Sequence, residues 1–279
     1  MQFNFMHTLA GSLRRLANRM DKESDKIDSL ENEMSRFNQS IENNNKELIR
    51  FIDKGLKILT RNIKNMESNS YNQIVSYLDL RQRVGHDKVL PRLRGHAISP
   101  DTAIFLDDLL KQYRPLRILE LGSGFSSAII ALHCLEHGGR VTSVDHIEEF
   151  GWIARNRVEA WGAGATFDLV VADLVEQDTP IGKRRFYDLK PVSESGSGYD
   201  FVFLDGPPKY VEAGIRANFL PLFAPLLAEG CIVLLDDYYR SGEQEAVAGW
   251  VEAGLVEVLV ENKDVEKHAA VLRFTRNQG

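Results

Sequence analysis

The segment Arg117–Ser127, RILELGSGFSS, constrains this chain more than any other. Arg117–Leu121 is a short apolar run with one acid, Glu120, near its end. Gly122-Ser123-Gly124-Phe125-Ser126-Ser127 follows, and then the apolar stretch Ala128–Cys134. A strand, a glycine-rich turn and a helix in that order are how an α/β sheet holds a nucleotide. The glycines let the backbone approach a ligand, and the helix start presents free N–H groups. The next apolar run, Arg140–Val144, ends in Asp145, 23 positions after Gly122. An acid at the tip of the second strand suits the two hydroxyls of a ribose.

The alternation continues along the chain. Ser99-Pro100-Asp101 opens a helix over Asp101–Tyr113, with Pro at its first position. Glu148–Trp161 reads as a helix stopped by Gly162 and Gly164, Phe167–Val171 as a third strand, and Val175–Gly198 as an irregular polar insert. Tyr199–Leu204 is a fourth strand, Val211–Leu227 a helix, Gly230–Leu235 a fifth strand and Gly242–Gly254 a helix. Leu255–Val260 and Ala269–Phe274 read as an antiparallel pair closing the sheet edge. This order predicts an α/β fold: a doubly wound, mostly parallel sheet with helices on both faces. Ligands of such sheets bind beyond the C-terminal strand ends. Glu120, Asp145, Asp173, Asp205, Asp236 and Asp237 all stand at or near those ends, more acids than solvation requires.

Residues 1–85 read differently, as a helical region separate from the domain at 86–279. They contain no Pro, and apolar residues recur every seven positions. One seam holds Met6, Leu13, Met20, Ile27, Met34, Ile41 and Leu48. The other holds Leu9, Leu16, Leu30, Phe37, Phe51 and Ile58, broken by Glu23 and Asn44. That pattern predicts a coiled coil and a homo-oligomer. Near Leu48–Leu56 the frame slips to Ile52, Leu56, Leu59, Ile63 and Met66, which predicts a stutter or bend. Phe3, Phe5, Met6, Leu9, Leu13 and Leu16 with Arg14, Arg15 and Arg19 also fit a peripheral membrane helix. The seam runs straight on into the heptads, which favours the coiled coil.

Charge divides along the same line. Residues 1–90 carry 15 Lys+Arg and 12 Asp+Glu, whereas residues 91–279 carry 19 and 28. The acidic second part argues against duplex nucleic acid, which needs a basic face. Cys134 and Cys231 form no disulfide framework, and no run is long and apolar enough to span a bilayer, so the expected compartment is the cytoplasm.

Over about residues 90–275 the chain resembles the class I S-adenosylmethionine-dependent methyltransferases. The resemblance rests on ILELGSGFSS, VTSVDH, YDFVFLDGPP and GCIVLLDD in that order, preceded by LPRLRGHAISPD, which is similar to a bacterial subgroup. It implies a Rossmann-like seven-stranded sheet and methyl transfer from S-adenosyl-L-methionine to a small-molecule or glycan hydroxyl. Carried over by position, Glu120, Gly122, Ser123, Gly124 and Ser126 would serve the methionine part of the cofactor. Asp145 would take the ribose, with His146 beside the adenosine, and Asp173 and Leu174 would lie near adenine. Asp205 would face the transferable methyl. The similarity extends to catechol-type O-methyltransferases, which implies Mg²⁺ at Asp205, Asp236 and Asp237; without metal, Asp205 or Asp237 would be the catalytic base.

Tyr210, Tyr238, Tyr239 and Arg240 follow strand ends and are candidates for an acceptor wall. The basic run Lys183–Arg185, with Phe186 and Tyr187, is either a solvated face or a contact for a phosphate or acidic sugar. Two other functions fit parts of the pattern. An NAD-dependent oxidoreductase would use the same turn and Asp145, although Ser127 replaces the third glycine of the dinucleotide fingerprint. A non-catalytic coiled-coil scaffold would keep the cofactor fold without transfer.

Overall fold

The structure is a computed structural model that describes residues 2–93, 97–179 and 182–276, with side chains described from Arg19 onward and Arg14 before it. It divides into two compact units, Met1–Glu67 and Ser68–Gly279. From Gln2 onward the first belongs to α1, a helix over Gln2–Val84. The side chains of Phe3, Phe5, Met6, Leu9, Leu13 and Leu16 lie outside the described residues. Among the described residues, no helix is long and apolar enough to cross a membrane.

The second unit starts with the last turns of α1. Leu80 and Val84 are buried there, and Arg83 bonds Asp107 at 2.9 Å and pairs also with Asp108. Around them stand α2 (Pro100–Tyr113), β1 (Arg117–Leu121), α3 (Phe125–His137), β2 (Arg140–Asp145), α4 (Glu148–Ala160) and β3 (Phe167–Val171). Next come β4 (Leu174–Thr179), β5 (Gly182–Tyr187), α5 (Leu189–Ser195), β6 (Tyr199–Leu204) and α6 (Phe219–Phe223). The unit closes with β7 (Leu227–Asp236), α7 (Ser241–Glu252), β8 (Val256–Asn262) and β9 (Ala269–Phe274).

Seven strands form one sheet in the order β3-β2-β1-β6-β7-β9-β8. The five strands from β3 to β7 are parallel, and β9 pairs antiparallel with both β7 and β8. The expected closing pair is therefore present, with β9 inserted between β7 and the edge strand β8. The strand period of two assigns side chains to opposite faces. In β6, Phe201 and Phe203 pack with α2 and α3, whereas Val202 and Leu204 pack on the other face with α6 and Trp250 of α7. Both faces are thus apolar, which is why the central strands read as continuous hydrophobic runs.

Two expected segments differ. Val175–Gly198 is not irregular: β4 and β5 pair as an antiparallel hairpin, with Leu174 opposite Tyr187, and α5 follows. Phe186 and Tyr187 are consecutive and both buried, so the segment lacks the alternation that marks a strand. The helix expected over Val211–Leu227 is broken into a 3₁₀ turn at Ile215–Asn218, the short α6 and a second 3₁₀ turn at Ala224–Leu226. Gly214 takes φ 71°, and Pro221 and Pro225 each lack an N–H for a longer helix. β7 consequently begins at Leu227, three residues before the expected start.

Candidate active site

A cavity opens at the C-terminal ends of β1, β2, β6 and β7. Its floor is the contact between two turns. Gly122, with φ 101°, follows β1, and its N–H donates to the Val144 carbonyl at 2.8 Å. Gly206 follows β6, and its N–H donates to the Leu121 carbonyl at 2.6 Å. A Cβ on Gly122 would stand 3.0 Å from Gly206 N, and one on Gly206 would stand 3.0 Å from Gly122 Cα and 2.4 Å from the Tyr187 hydroxyl. Both positions need glycine for this close approach.

Asp145 secures the turn from the next strand. Its Oδ2 accepts from Ser123 N–H at 2.9 Å and its Oδ1 from Ile147 N–H at 2.8 Å. Gly122, Ser123, Gly124, Ser126, Asp145 and His146 all line the cavity, and His146 Nδ1 lies 3.4 Å from Asp145 Oδ1. α3 starts directly at this wall, so its N-terminal N–H groups are set against it.

Glu120 lies below the turn and does not line the cavity. It is fully buried, and its Oε2 accepts from the Ser127 and Ser143 hydroxyls at 2.5 Å each. The Ser127 hydroxyl also accepts from Gly124 N–H at 3.0 Å. Burial pushes the Glu120 carboxyl up to about 7, against the lowering effect of its serine partners. Ser127, at the place of the third fingerprint glycine, thus ties the turn to the strand beneath it. Asp173 is exposed and Leu174 opens the hairpin; neither lines the cavity.

The opposite wall is acidic. Asp205 follows β6, Asp236 ends β7, and Asp237 comes next with φ 61°. Each offers an oxygen within 4.8 Å of the others. Asp205 and Asp237 line the cavity, and Asp236 lies behind them, fully buried. Both Asp236 oxygens and Asp237 Oδ1 are buried without a hydrogen-bond partner. Burial raises Asp205 to about 6, offset by Arg216 and reinforced by Asp237. Asp236 is held well above the usual carboxylate range by burial and by its two acidic neighbours.

Arg216 balances this cluster, and sequence inspection missed it. The 3₁₀ turn buries its guanidinium between the ends of β6 and β7. It donates to the Pro207 carbonyl at 3.3 Å, the Asp236 carbonyl at 3.0 Å, Asp205 Oδ1 at 3.3 Å and Asp237 Oδ2 at 3.2 Å, and also to the Asp205 carbonyl. Arg240 reaches Asp237 Oδ2 at 2.8 Å and Glu243 at 3.5 Å. Lys267 also lines the cavity and donates to the Ala97 carbonyl at 3.3 Å. No local motif marks Arg216 or Lys267, because each is brought in by the fold.

Of the candidate acceptor wall, Tyr210 and Arg240 line the cavity. Tyr238 is buried and donates to Glu261 Oε1 at 3.0 Å, and Tyr239 stands outside. Lys183, Arg184 and Arg185 lie on β5 away from the cavity, whereas Tyr187, at the end of the same run, lies on its lining.

Residues 119–238 match the family model described as a methyltransferase domain. Residues 40–176 match the model described as protein-L-isoaspartate(D-aspartate) O-methyltransferase. No curated protein sequence matches the chain. Among solved structures, the chain is similar to an O-methyltransferase from Bacillus cereus in complex with SAH, at 16% identity and TM-score 0.52, over 75% of this chain and 97% of the other. It is also similar to the O-methyltransferase TomG from Streptomyces achromogenes, involved in tomaymycin synthesis and in complex with SAM, at 17% identity and TM-score 0.48, over 73% and 89%. The methyltransferase model falls on the strands whose ends build the cavity, and the seven-stranded sheet around it has the fold of the Bacillus cereus structure.

Proposed function

We propose that the chain transfers the methyl group of S-adenosylmethionine to a hydroxyl oxygen of a small-molecule acceptor. The observation that carries this reading is the single cavity that joins the Gly122–Ser126 turn and Asp145 to the carboxylates of Asp205 and Asp237. In this reading the Gly122–Ser126 turn receives the methionine carboxylate on backbone N–H groups, and Asp145 accepts from the ribose hydroxyls. His146 stands beside the adenosine. The acidic wall suits the sulfonium cation. Transfer needs the acceptor oxygen in line with the S–CH₃ bond, so positioning supplies most of the rate. It also requires removal of the hydroxyl proton. Asp205, raised to about 6 and exposed to the cavity, is suited to take it near neutral pH.

The donor set of Asp205, Asp236 and Asp237 fits a hard divalent cation such as Mg²⁺. Three buried carboxylate oxygens there lack partners, and hard cations take oxygen ligands. Bound there, the ion would lower the pKa of the acceptor hydroxyl. Arg216 already neutralises one side of the cluster through Asp205 Oδ1 and Asp237 Oδ2.

The printed name of the Bacillus cereus structure, an O-methyltransferase, supports oxygen as the acceptor atom. The test is turnover of a hydroxyl acceptor by Asp205→Asn. Lost turnover with cofactor binding retained supports the proposal, and unchanged turnover removes Asp205 from the chemistry.

A further inference from the structure

The helix of the first unit exposes a stripe that no part of that unit covers. Met20, Ile27, Leu30, Met34, Phe37, Ile41, Leu48 and Phe51 are between 41% and 76% exposed. In heptad terms Met20, Ile27, Met34, Ile41 and Leu48 hold the a positions, and Glu23, Leu30, Phe37, Asn44 and Phe51 hold the d positions. A surface helix does not keep a period of seven for its own sake. That period fits a partner helix carrying the same period, which a second copy of this chain supplies.

We propose that residues 20–66 pair with the same segment of a second copy as a parallel, in-register, two-stranded coiled coil. This inference is independent of the catalytic reading. The two polar d residues decide the direction. In a parallel, in-register pair every layer faces itself, so Asn44 meets Asn44 and the two amides bond each other. In an antiparallel pair overlapping over 20–51, Asn44 would face Ile27 and Glu23 would face Leu48. That arrangement leaves an amide and a carboxylate buried against hydrocarbon. In the parallel form Glu23 meets Glu23, and the two charges are offset from within each strand. Arg19 and Lys26, one turn to either side, hold flanking g positions.

Charge across the interface agrees. A g residue of one strand meets the e residue five positions on in a parallel partner, which pairs Lys26 with Glu31 twice in the dimer. The polar layers also favour two strands, because a third helix would enclose Glu23 and Asn44 more completely. Beyond Asn44 the steps run to Leu48, Ile52 and Leu56 in fours, then return to alternating threes and fours through Leu59, Ile63 and Met66. Such a stutter unwinds the supercoil locally while the same partner stays in contact. Ile52, Leu56, Leu59, Ile63 and Met66 are likewise exposed, at 49% to 69%.

The experiment uses full-length protein. Light scattering of the parent measures its mass, and mild oxidation of Asn44→Cys, read on a non-reducing gel, measures register. The native Cys134 and Cys231 are buried and free, and the parent serves as their control. The proposal expects twice the chain mass of 31.6 kDa and covalent dimers of Asn44→Cys alone. A monomeric or trimeric parent overturns it. So does cross-linking only when Ile27→Cys and Asn44→Cys are mixed, the antiparallel outcome. Because cysteine at 44 removes the amide layer, a second measurement stands beside it. Lys26→Glu should raise the dimer dissociation constant roughly tenfold, and Lys26→Glu with Glu31→Lys should restore it. A dissociation constant unchanged by Lys26→Glu, or left raised in the double variant, contradicts the parallel pairing.

Discussion

The Arg216 guanidinium lies 3.2 Å from Asp237 Oδ2 while holding the Asp236 and Pro207 carbonyls, so one buried side chain joins the turns after β6 and β7. Removing it takes this donor from Asp205 and three carbonyls and leaves Asp237 with Arg240 alone. Arg216→Met should destabilise the second unit by about 3–5 kcal/mol, the cost of breaking a buried ion pair from one side. Arg216→Lys should recover part of that, since a single ammonium cannot reach all five acceptors. Chemical denaturation of both variants checks this, and a loss below about 1 kcal/mol for Arg216→Met would show that the network is not structural.

Glu120 predicts a pH dependence of stability. Its folded pKa of about 7 lies above its ordinary value of 4.5. The folded state therefore binds the proton more tightly, and stability falls as pH rises from about 4.5 to about 7, by roughly 3 kcal/mol, then levels off. Glu120→Gln should flatten that slope, as followed by thermal melting between pH 4.5 and 8. Asp205, raised to about 6 by burial, contributes in the same direction. A parent protein whose stability rises across this interval would contradict the burial of an orphaned Glu120 oxygen.

Gly206 should not tolerate a side chain. Gly206→Ala would set its Cβ against the Tyr187 hydroxyl and the Gly122 backbone, costing about 1–3 kcal/mol and weakening cofactor binding through the displaced turn. Tyr187→Phe alone should cost little, because its buried hydroxyl has no hydrogen-bond partner to lose. The double variant should recover part of the Gly206→Ala loss by removing the nearer clash. Equal melting temperatures for the single and double alanine variants would place the strain at Gly122 instead.

Millimolar Mg²⁺ should raise the melting temperature of the parent, since an ion bound only by the folded state stabilises it by mass action. Asp236→Asn should abolish that rise. A parent that melts at the same temperature in Mg²⁺ and in chelator removes the cation from the proposal and leaves Arg216 as the counter-charge of the acid cluster.

The parts legible in the sequence were those set by local order. RILELGSGFSS gave its strand, turn and helix because apolar period and glycine spacing act within a dozen residues, and Asp145 followed from the next strand. The site's acids at 205, 236 and 237 were legible because each follows a buried run. Arg216 was not, since GIRANF carries no period and its meaning comes from where Gly214 and the two prolines turn the chain. Phe186-Tyr187 hid a strand because two adjacent buried aromatics break the alternation. Glu120 was visible as a strand-end acid, but only the packing of Ser127 and Ser143 against it shows that it supports the turn from beneath.

The most direct test of the account is calorimetric titration of the full-length protein with S-adenosylmethionine, and separately with NAD, each with and without Mg²⁺. The account predicts saturable binding of S-adenosylmethionine that is lost in Asp145→Ala, and no binding of NAD. Binding of NAD alone, or of neither, would contradict it.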